Sequence, residues 1–197
     1  ERWLHDALAG ELLAAYCLSE PGSGSDAGAL TTRAVREGDE YVITGTKAWI
    51  THGGVADFYT VMARTSDNGS RGISAFLIDA NTPGLTAATP ERKMGLWGSP
   101  TAQIHLDGVR VGVDRRIGNE GDGFKIAMNA LDFGRLGIAA CATGLAQGAL
   151  DVARDYAKSR QQFGRAIAEF QGVQFQLADF ATGVAAARAL YLEGARK

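Results

Sequence analysis

The stretch that decides the fold is GNEGDGFKIAMNALDFGRLGIAACA (residues 118–142), because the hydrophobic period of the chain changes within it. After the glycine-rich GNEGDG, apolar positions recur at alternating steps of four and three, as on one face of an α-helix. About 33 residues at a rise of 1.5 Å predict a helix of roughly 50 Å, a length typical of a helical bundle. The stripe consists of Phe124, Met128, Leu131, Arg135, Ile138, Ala142, Leu145, Ala149, Val152 and Tyr156.

A second helical stripe follows the break at Phe163-Gly164, so at least two antiparallel helices are expected. Its members are Val173, Leu177, Phe180, Val184, Ala187 and Tyr191. This pattern continues to Lys197 without a stop signal, and residues 1–9 resemble the end of a helix without its beginning. The sequence is therefore interpreted as a fragment, truncated at both ends.

On the N-terminal side, residues 30–113 show a period near two, which is typical of strands. Three hairpins are predicted, with turns at Gly38-Asp39, at SDNGS (66–70) and at Asp107-Gly108. Short strands with polar turns and no helices between them favour an antiparallel β-barrel or sandwich. Trp97 is expected to pack under this barrel.

The predicted fold class is α+β, with an antiparallel β-barrel or sandwich followed by an α-helical bundle. The predicted domains are the end of an N-terminal helical domain (1–11), a middle β domain (12–117) and an incomplete C-terminal helical bundle domain (118–197).

The composition is that of an ordinary globular protein: 197 residues, 46% hydrophobic, with a net charge of −2. The charge gives no basic footprint, so nucleic acid is not an expected partner. No run of 18 uninterrupted apolar residues and no charged-then-apolar leader is present, so we predict a cytoplasmic location without membrane insertion. Cys17 and Cys141 have no metal-ligand spacing, and both are interpreted as buried, reduced thiols.

The glycine-rich loop YCLSEPGSGSDAG (16–28) is the first candidate site. Its spacing is G-x-G-x-x-x-G, and the strand-like ALTTRAV that follows does not fit a Rossmann fingerprint, which needs a helix there. Two interpretations stay open. The loop is either a tight connection or a source of unpaired N–H groups for an anionic ligand.

Trp49 and Thr51 stand two residues apart in a predicted strand and therefore share a face. An aromatic plate beside a hydroxyl suits a planar heterocycle with a polar edge, although a half-buried Trp-Thr pair is also common. His105 alternates with apolar neighbours and is expected to face solvent.

Arg135 interrupts the apolar helical stripe, and burying a guanidinium is unfavourable unless it is paired. Its partner is either Asp132, three residues earlier, or an anion such as phosphate. Arg160 and Phe163 in KSRQQFG (158–164) either cap a helix end or belong to a site.

Together, five motifs resemble the acyl-CoA dehydrogenase family over essentially the whole chain. They are YCLSEPGSGSD, WIT, KMGLWGS, GDGFKIAMNALDFGRLGIA and RQQFG, in this order. Gly134 in LDFGR is similar to the short-chain and butyryl-CoA branch. The resemblance implies that FAD lies between the β domain and the C-terminal helices.

The resemblance also implies roles for single residues. Backbone N–H groups of the loop and Ser19 would bond the flavin pyrimidine edge, Trp49 would pack on the ring system, and Thr51 would bond N5. Residues near a helix end would reach the FAD of a neighbouring subunit, as in a homotetramer or homodimer. The implied cofactor-binding residues are Tyr16, Cys17, Leu18, Ser19, Glu20, Pro21, Gly22, Ser23, Gly24, Ser25, Trp49, Ile50 and Thr51, with Arg160, Phe163 and Gln171 for the neighbouring FAD.

For the substrate, the resemblance implies that Ser25 lies near the thioester or its pantetheine arm. The segment Asp132, Phe133, Gly134 and Arg135 would contact coenzyme A. The implied reaction is fatty acid β-oxidation chemistry. A carboxylate removes the α proton, the β hydrogen leaves as hydride to flavin N5, and a trans-2-enoyl-CoA results. Electrons would then pass to an electron-transferring flavoprotein.

No catalytic base is expected within this chain. Most of the family carries a Glu late in the C-terminal domain, beyond Lys197, and a minority carries it where this chain has Gly134. Two alternative functions stay open: a flavin monooxygenase or oxidase on the same fold, and a non-catalytic paralogue that binds FAD or acyl-CoA. His52 departs from the family pattern after WIT, and two interpretations stay open: a solvated loop histidine, or a residue that bears on flavin reactivity.

Overall fold

The structure is a computed structural model that describes residues 3–197. It divides into two compact units, with the boundary between Met128 and Asn129. The domain limits predicted from the sequence, at 11/12 and 117/118, stay predictions. The first two residues of the predicted N-terminal segment lie outside the described residues.

The first unit contains most of the strands. Its elements are α1 (Leu4–Ala9), β1 (Ala14–Cys17), β2 (Arg33–Glu37), β3 (Glu40–Thr51), β4 (Phe58–Arg64), β5 (Ile73–Asp79), β6 (Leu85–Ala87), β7 (Thr101–Gly112) and β8 (Arg116–Ile117). The helix α2 (Gly123–Ser159) begins in this unit and continues into the second, which also contains β9 (Gln161–Gln162), β10 (Arg165–Ala166) and α3 (Gln171–Arg196).

The eight strands of the first unit form one sheet in the order β6-β7-β3-β2-β4-β5-β8, with β1 beside β4. Most neighbours are antiparallel, as expected for the predicted fold class, and β1 and β2 each run parallel to β4. A single register pair, Arg33 with Arg64, joins β2 to β4. The sheet therefore has two halves, and one core is formed from residues of both, including Tyr41 and Ile104 from one half and Val61 and Phe76 from the other.

Two of the three predicted hairpins are confirmed. The first connects β2 to β3 through Gly38, whose φ of 64° suits a tight turn, and the second connects β4 to β5. The third is wrong, because β7 runs straight through Asp107-Gly108 and pairs with β3 on both sides of it. Gly108 has a φ of 62° at a register shift, so this turn-like dipeptide forms a β-bulge.

A second irregularity in β3 decides which side chains reach solvent. Tyr41, Ile43 and Lys47 occupy one phase of the strand and are buried. The register with β7 then shifts between Lys47 and Ile50, and Trp49 between them has a φ of 61°. After the shift the phase is reversed, so Ile50 is buried and its odd-numbered neighbours are exposed.

The second unit confirms the predicted long helix and its antiparallel partner. Arg188 of α3 donates a hydrogen bond to Gln147 of α2 at 3.3 Å, and Gly194 lies beside Leu136. Val184 is buried, as the stripe on α3 predicts.

The face of α2 that is buried in this unit is not the one that the sequence suggests. Thr143, Leu150 and Ala157 are buried and recur every seven residues, whereas the members of the predicted stripe include Ile138, Leu145 and Val152, which are exposed. Positions two apart on a helix differ by roughly 200°, so the two faces are almost opposite. The helix is apolar on both, and a single stripe cannot tell which one receives α3.

By length and composition α2 is also apolar enough to cross a membrane, a test that core helices of helical bundles pass as well. The helix carries the exposed ion pairs of Asp132 with Arg135 and of Asp151 with Arg154. Because exposed ion pairs are unfavourable in lipid, we favour a helix of a protein bundle. The absence of membrane insertion stays a prediction.

Two expectations about single residues are wrong and two are confirmed. Trp97 is exposed in the connection between β6 and β7, next to Leu96 with a φ of 54°, and does not pack in the core. Cys141 is exposed on α2, whereas Cys17 is fully buried. His105 faces solvent as predicted.

Candidate functional site

Two segments of the first unit that the sequence singled out are in direct contact. The backbone N–H of Ala48 donates to the carbonyl oxygen of Ser19 at 2.8 Å. The glycine loop of residues 19–25 begins two residues after β1 ends at the buried Cys17, and the exposed Trp49 follows Ala48 in β3. The loop and the strand end therefore form one surface.

The glycine loop is closed by its own hydrogen bonds. Glu20 and Ser23 exchange backbone hydrogen bonds of 2.8 and 3.1 Å, and the Ser23 hydroxyl donates to the Asp26 carbonyl at 2.6 Å. Within residues 3–197, the backbone N–H groups of Gly22 and Gly24 have no acceptor, and a Cβ on either glycine would meet nothing within 4 Å. This geometry favours the interpretation as a donor-rich loop open to a ligand over that as a mere connection.

The structure narrows the set of loop and strand residues whose side chains reach a ligand. Five of the predicted cofactor-binding side chains are buried within the domain, so these residues are available to a ligand through their backbone alone; they are Cys17, Leu18, Glu20, Ser23 and Ile50. Burial raises the pKa of the Cys17 thiol to about 12, which keeps it protonated.

Tyr16 is a partly buried member of the predicted set, and its hydroxyl already has a partner. It donates to the Ala127 carbonyl in the first turns of α2 at 3.2 Å. Burial raises the pKa of Tyr16 to about 12, so the phenol stays neutral. This side chain links β1 to α2.

Trp49 and Thr51 are exposed on the same side of β3, as predicted. The Trp49 side chain is 67% exposed, whereas its chain neighbours Ala48 and Ile50 are buried. His52, which follows Thr51, has a φ of 62°, and its Nδ1 donates to the Ala14 carbonyl at 3.2 Å. An aromatic plate and a hydroxyl thus lie in the strand end that bonds the first residue of the loop.

A buried ion pair lies beneath this surface, and the sequence analysis missed it. The Lys47 ammonium is 2.9 Å from the Glu20 carboxylate, and their side chains are 0% and 4% exposed. Burial would raise the pKa of Glu20, but the Lys47 charge and hydrogen bonds from Thr31 and Thr32 outweigh it and lower that pKa to about 2. The sequence contains a signal for the burial of Lys47, because strand alternation places it on the same side as Tyr41 and Ile43, which are buried.

In the second unit, the segment predicted to bind coenzyme A lies on an exposed part of α2. Arg135 donates to Asp132 at 3.0 Å, so the pairing alternative is realised, and both side chains are about two-thirds exposed, at 68% and 70%. Phe133 is exposed and Gly134 has open space around it. Because Arg135 is in solvent, its remaining donors are accessible to an anion.

Arg160, Phe163 and Gln171 are brought together by a small hairpin. Ile167 N–H donates to the Arg160 carbonyl at 2.8 Å, and β9 pairs with β10 between them. Phe163 has a φ of 53° and is 93% exposed. Its ring meets the Phe170 ring edge-on, with the two ring centroids 6.2 Å apart. Gln171 follows as the first residue of α3.

Two protein-family models match the chain. The model for the acyl-CoA dehydrogenase middle domain matches residues 15–109, and the model for the acyl-CoA dehydrogenase C-terminal domain matches residues 121–197.

Relatives agree with these matches. An acyl-CoA dehydrogenase of Bacillus subtilis (strain 168) is 49% identical over 98% of this chain and 52% of its own length. A mitochondrial isobutyryl-CoA dehydrogenase of Dictyostelium discoideum is 47% identical over 95% of this chain and 45% of its own. The chain thus spans about half the length of the curated relatives it matches.

Solved structures are similar over the same extent. Butyryl-CoA dehydrogenase from Megasphaera elsdenii gives a TM-score of 0.94 at 42% identity over 98% of this chain and 51% of that chain. A chain in a structure of the electron transferring flavoprotein of Acidaminococcus fermentans gives a TM-score of 0.93 at 44% identity, over 98% of this chain and 51% of that chain. The prolyl acyl carrier protein oxidase AnaB gives a TM-score of 0.95 at 32% identity, over 99% of this chain and 52% of that chain.

Proposed function

Because this chain belongs to the acyl-CoA dehydrogenase family, we propose that the full-length protein binds FAD and converts an acyl-CoA thioester to the trans-2-enoyl-CoA. The names of its relatives favour a short or branched acyl chain. A cytoplasmic location and transfer of electrons to an electron-transferring flavoprotein are part of the proposal.

The observation that carries the proposal is the contact between the glycine loop and the end of β3. The hydrogen bond from Ala48 to Ser19 joins the loop that carries open backbone N–H groups to the strand end that carries an exposed indole and the Thr51 hydroxyl. A planar heterocycle with hydrogen-bonding atoms on its edge needs these three features, so the residues present fit the isoalloxazine of FAD.

When bound, FAD supplies the acceptor for the hydrogen and the two electrons that leave the substrate. The residues of this chain bind and orient it. The N–H groups of the loop and the Ser19 hydroxyl would donate to the pyrimidine edge, where preorganised donors would stabilise developing negative charge. Trp49 would pack on the ring system and exclude water from it, and the Thr51 hydroxyl would donate at the ring edge.

For the substrate, we assign Arg135 to a phosphate of coenzyme A and Ser25 to the thioester end. Arg135 is exposed and has donors in addition to the one that bonds Asp132. We assign no base to this chain. Gly134 has no side chain, and Asp132 is already paired, so the α proton is removed by a carboxylate outside these residues.

An anaerobic titration of the full-length protein tests the proposal. Butyryl-CoA and isobutyryl-CoA should each be added to the FAD-loaded protein while the flavin absorbance near its visible maximum is followed. Loss of this absorbance together with an enoyl-CoA product supports dehydrogenation. A pure preparation that takes up no FAD when it is supplied contradicts the proposal, and FAD binding without loss of absorbance indicates the non-catalytic paralogue.

The second candidate is an oxidase, and it is favoured by one observation: AnaB has the same fold at a TM-score of 0.95. Its identity to this chain is lower than that of the B. subtilis acyl-CoA dehydrogenase, at 32% against 49%. Admitting air after the titration separates the two. Rapid return of the flavin absorbance with hydrogen peroxide indicates the oxidase, and slow return indicates the dehydrogenase.

A further inference from the structure

The buried carboxylate of Glu20 holds two parts of the chain together. One oxygen accepts hydrogen bonds from the Thr31 N–H and hydroxyl at 2.7 and 2.8 Å. The other accepts from the Thr32 N–H at 3.0 Å and from the Lys47 ammonium at 2.9 Å. Four donors on one carboxylate fix its position, and with it the start of the glycine loop.

Lys47 makes the complementary connection from β3. Its ammonium donates to the Leu18 carbonyl at 3.1 Å in addition to Glu20. The next residue, Ala48, donates its N–H to Ser19. Two adjacent residues of β3 therefore bond two adjacent carbonyls at the start of the loop, where the register shift that exposes Trp49 begins.

Stability alone does not account for this pair. A buried ion pair is often no better for stability than apolar side chains of the same volume, because both charges lose their hydration. The other ion pairs within residues 3–197 are at least partly in solvent. What the pair provides is a fixed geometry between the loop amides and the indole.

We propose that Glu20 and Lys47 are positioning residues, which dock the glycine loop on the end of β3 and thereby set the affinity and the reduction potential of the cofactor. The inference rests on the proposed function for its readouts on FAD. It does not require either side chain to touch the cofactor. Loosening the pair moves the loop amides relative to Trp49 without removing any of these donors.

Three variants of the full-length protein separate positioning from stability. Glu20→Gln and Lys47→Met each leave one unpaired buried group, so both should lower the thermal midpoint. The double variant Glu20→Gln/Lys47→Met leaves no unpaired charge, so the midpoint should recover in part. The recovery is incomplete because the amide nitrogen that replaces one Glu20 oxygen cannot accept a hydrogen bond from the Thr31 or the Thr32 N–H. The contact of Lys47 with Leu18 is lost in the double variant as well, so the docking should not recover.

Three quantities should be measured on the double variant. The Kd for FAD should rise about tenfold or more. The reduction potential of the bound flavin should become more negative, because the docked loop stabilises the reduced form. The shift should be about 30 mV for each tenfold by which the affinity for reduced FAD falls more than the affinity for oxidised FAD. In the FAD-free protein, the Ala48 amide should exchange its hydrogen faster, because its bond to Ser19 reports docking without any cofactor.

A matched control is the exposed pair of Arg110 with Glu37, at 2.8 Å on the same sheet. The variant Glu37→Gln should change none of the three quantities. The exposed variant Thr31→Val removes one donor to Glu20 and keeps the protein folded, so it should shift all three quantities slightly in the expected direction.

Recovery of the FAD Kd and of the potential together with the thermal midpoint in the double variant would overturn the inference, since the pair would then act on stability alone. If the native protein binds no FAD, the proposed function fails, and the Ala48 amide alone decides. Faster exchange in the double and Thr31→Val variants still supports docking. Unchanged exchange overturns it.

Discussion

The Glu20 carboxylate makes the stability of the first unit depend on pH in a defined window. Its pKa falls from 4.5 to about 2 on folding, because the Lys47 charge and the donors of Thr31 and Thr32 outweigh burial. Because the pKa is lower in the folded state, the ionised Glu20 carboxylate contributes its full stabilisation above pH 4.5. This contribution is lost as the pH falls towards 2. Its size is roughly 3 kcal/mol in free energy of unfolding.

Urea unfolding between pH 2 and pH 6 measures this contribution. Glu20→Gln should unfold at lower urea concentration than the native protein at pH 6, and the difference should shrink as the pH approaches 2. Asp132→Asn serves as a control, because Asp132 is an exposed carboxylate on α2. A difference between Glu20→Gln and the native protein that stays constant across this range would contradict the shifted pKa.

Arg135 separates ligand binding from structure. Its pair with Asp132 is exposed, and exposed pairs contribute about 0–1 kcal/mol to stability, so Arg135→Gln should leave the thermal midpoint nearly unchanged. If a coenzyme A phosphate is the second partner, acyl-CoA affinity should fall about tenfold to a hundredfold. The matched control is Arg154→Gln, because Arg154 pairs with Asp151 at the same spacing on the same helix. Equal acyl-CoA affinity in both variants would remove Arg135 from the site.

Single residues show where sequence reasoning succeeds and where it stops. The common face of Trp49 and Thr51 follows from strand periodicity and was predictable. That this face is the exposed one depends on the bulge after Lys47, which reverses the phase of β3. Lys47 was missed because lysine is almost never fully buried unless paired, and its partner Glu20 is 27 residues away in the sequence.

At the scale of elements, the start of α2 is fixed by a close backbone approach. A Cβ on Gly123 would lie 2.5 Å from the Ser74 carbonyl carbon and 2.8 Å from the Ile73 oxygen. Backbone atoms do not yield as a flexible side chain does, so Gly123→Ala should lower the free energy of unfolding by about 2–3 kcal/mol. Urea unfolding at neutral pH measures the loss.

Gly108→Ala is the comparison for this prediction. Gly108 has a φ of 62° in the bulge of β7 but open space around it. Its substitution should lower the free energy of unfolding by about 1 kcal/mol through backbone strain alone. A loss at Gly123 no larger than that at Gly108 would show that α2 shifts away from β5 without resistance.

The elements differ in how far local pattern decides them. The length of α2 was predictable, because a 3.6-residue period repeated over ten positions is a local signal. The bulge at Asp107-Gly108 was mistaken for a turn, because the same dipeptide serves both and only the partner strand decides. Which face of α2 receives α3 was also undecidable, since apolar residues occupy two faces.

For the whole molecule, the hairpin around Phe163 predicts self-association. We expect the full-length protein to be a homotetramer or homodimer, because a phenylalanine that is 93% exposed on the same hairpin as Arg160 suits an interface, where aromatic residues and arginine are enriched. Phe163→Ala and Arg160→Ala should each weaken association and FAD retention together, as measured by light scattering and flavin absorbance. Arg36→Ala is the control, because Arg36 bonds only its own turn. A native monomer that retains FAD fully would contradict the assignment.

The family was predictable from the sequence because five short motifs occur in a fixed order along the chain. The sheet order was not, since parallel contacts such as β1 with β4 join segments about forty residues apart and leave no local trace. The roles of the buried pair were not predictable for the same reason, since its hydrogen bonds connect three separate stretches of the first unit, residues 18–20, 31–32 and 47.

The pairing of β3 with β7 has a consequence for synthesis. These twelve-residue strands share the longest ladder of the sheet, yet some fifty residues separate them. During translation at about 5–20 residues per second, the edge of β3 that pairs with β7 remains unpaired for several seconds. The nascent chain therefore presents an unpaired strand edge throughout this interval, and we expect chaperones that bind extended segments to contact it between the emergence of Thr51 and that of Gly112.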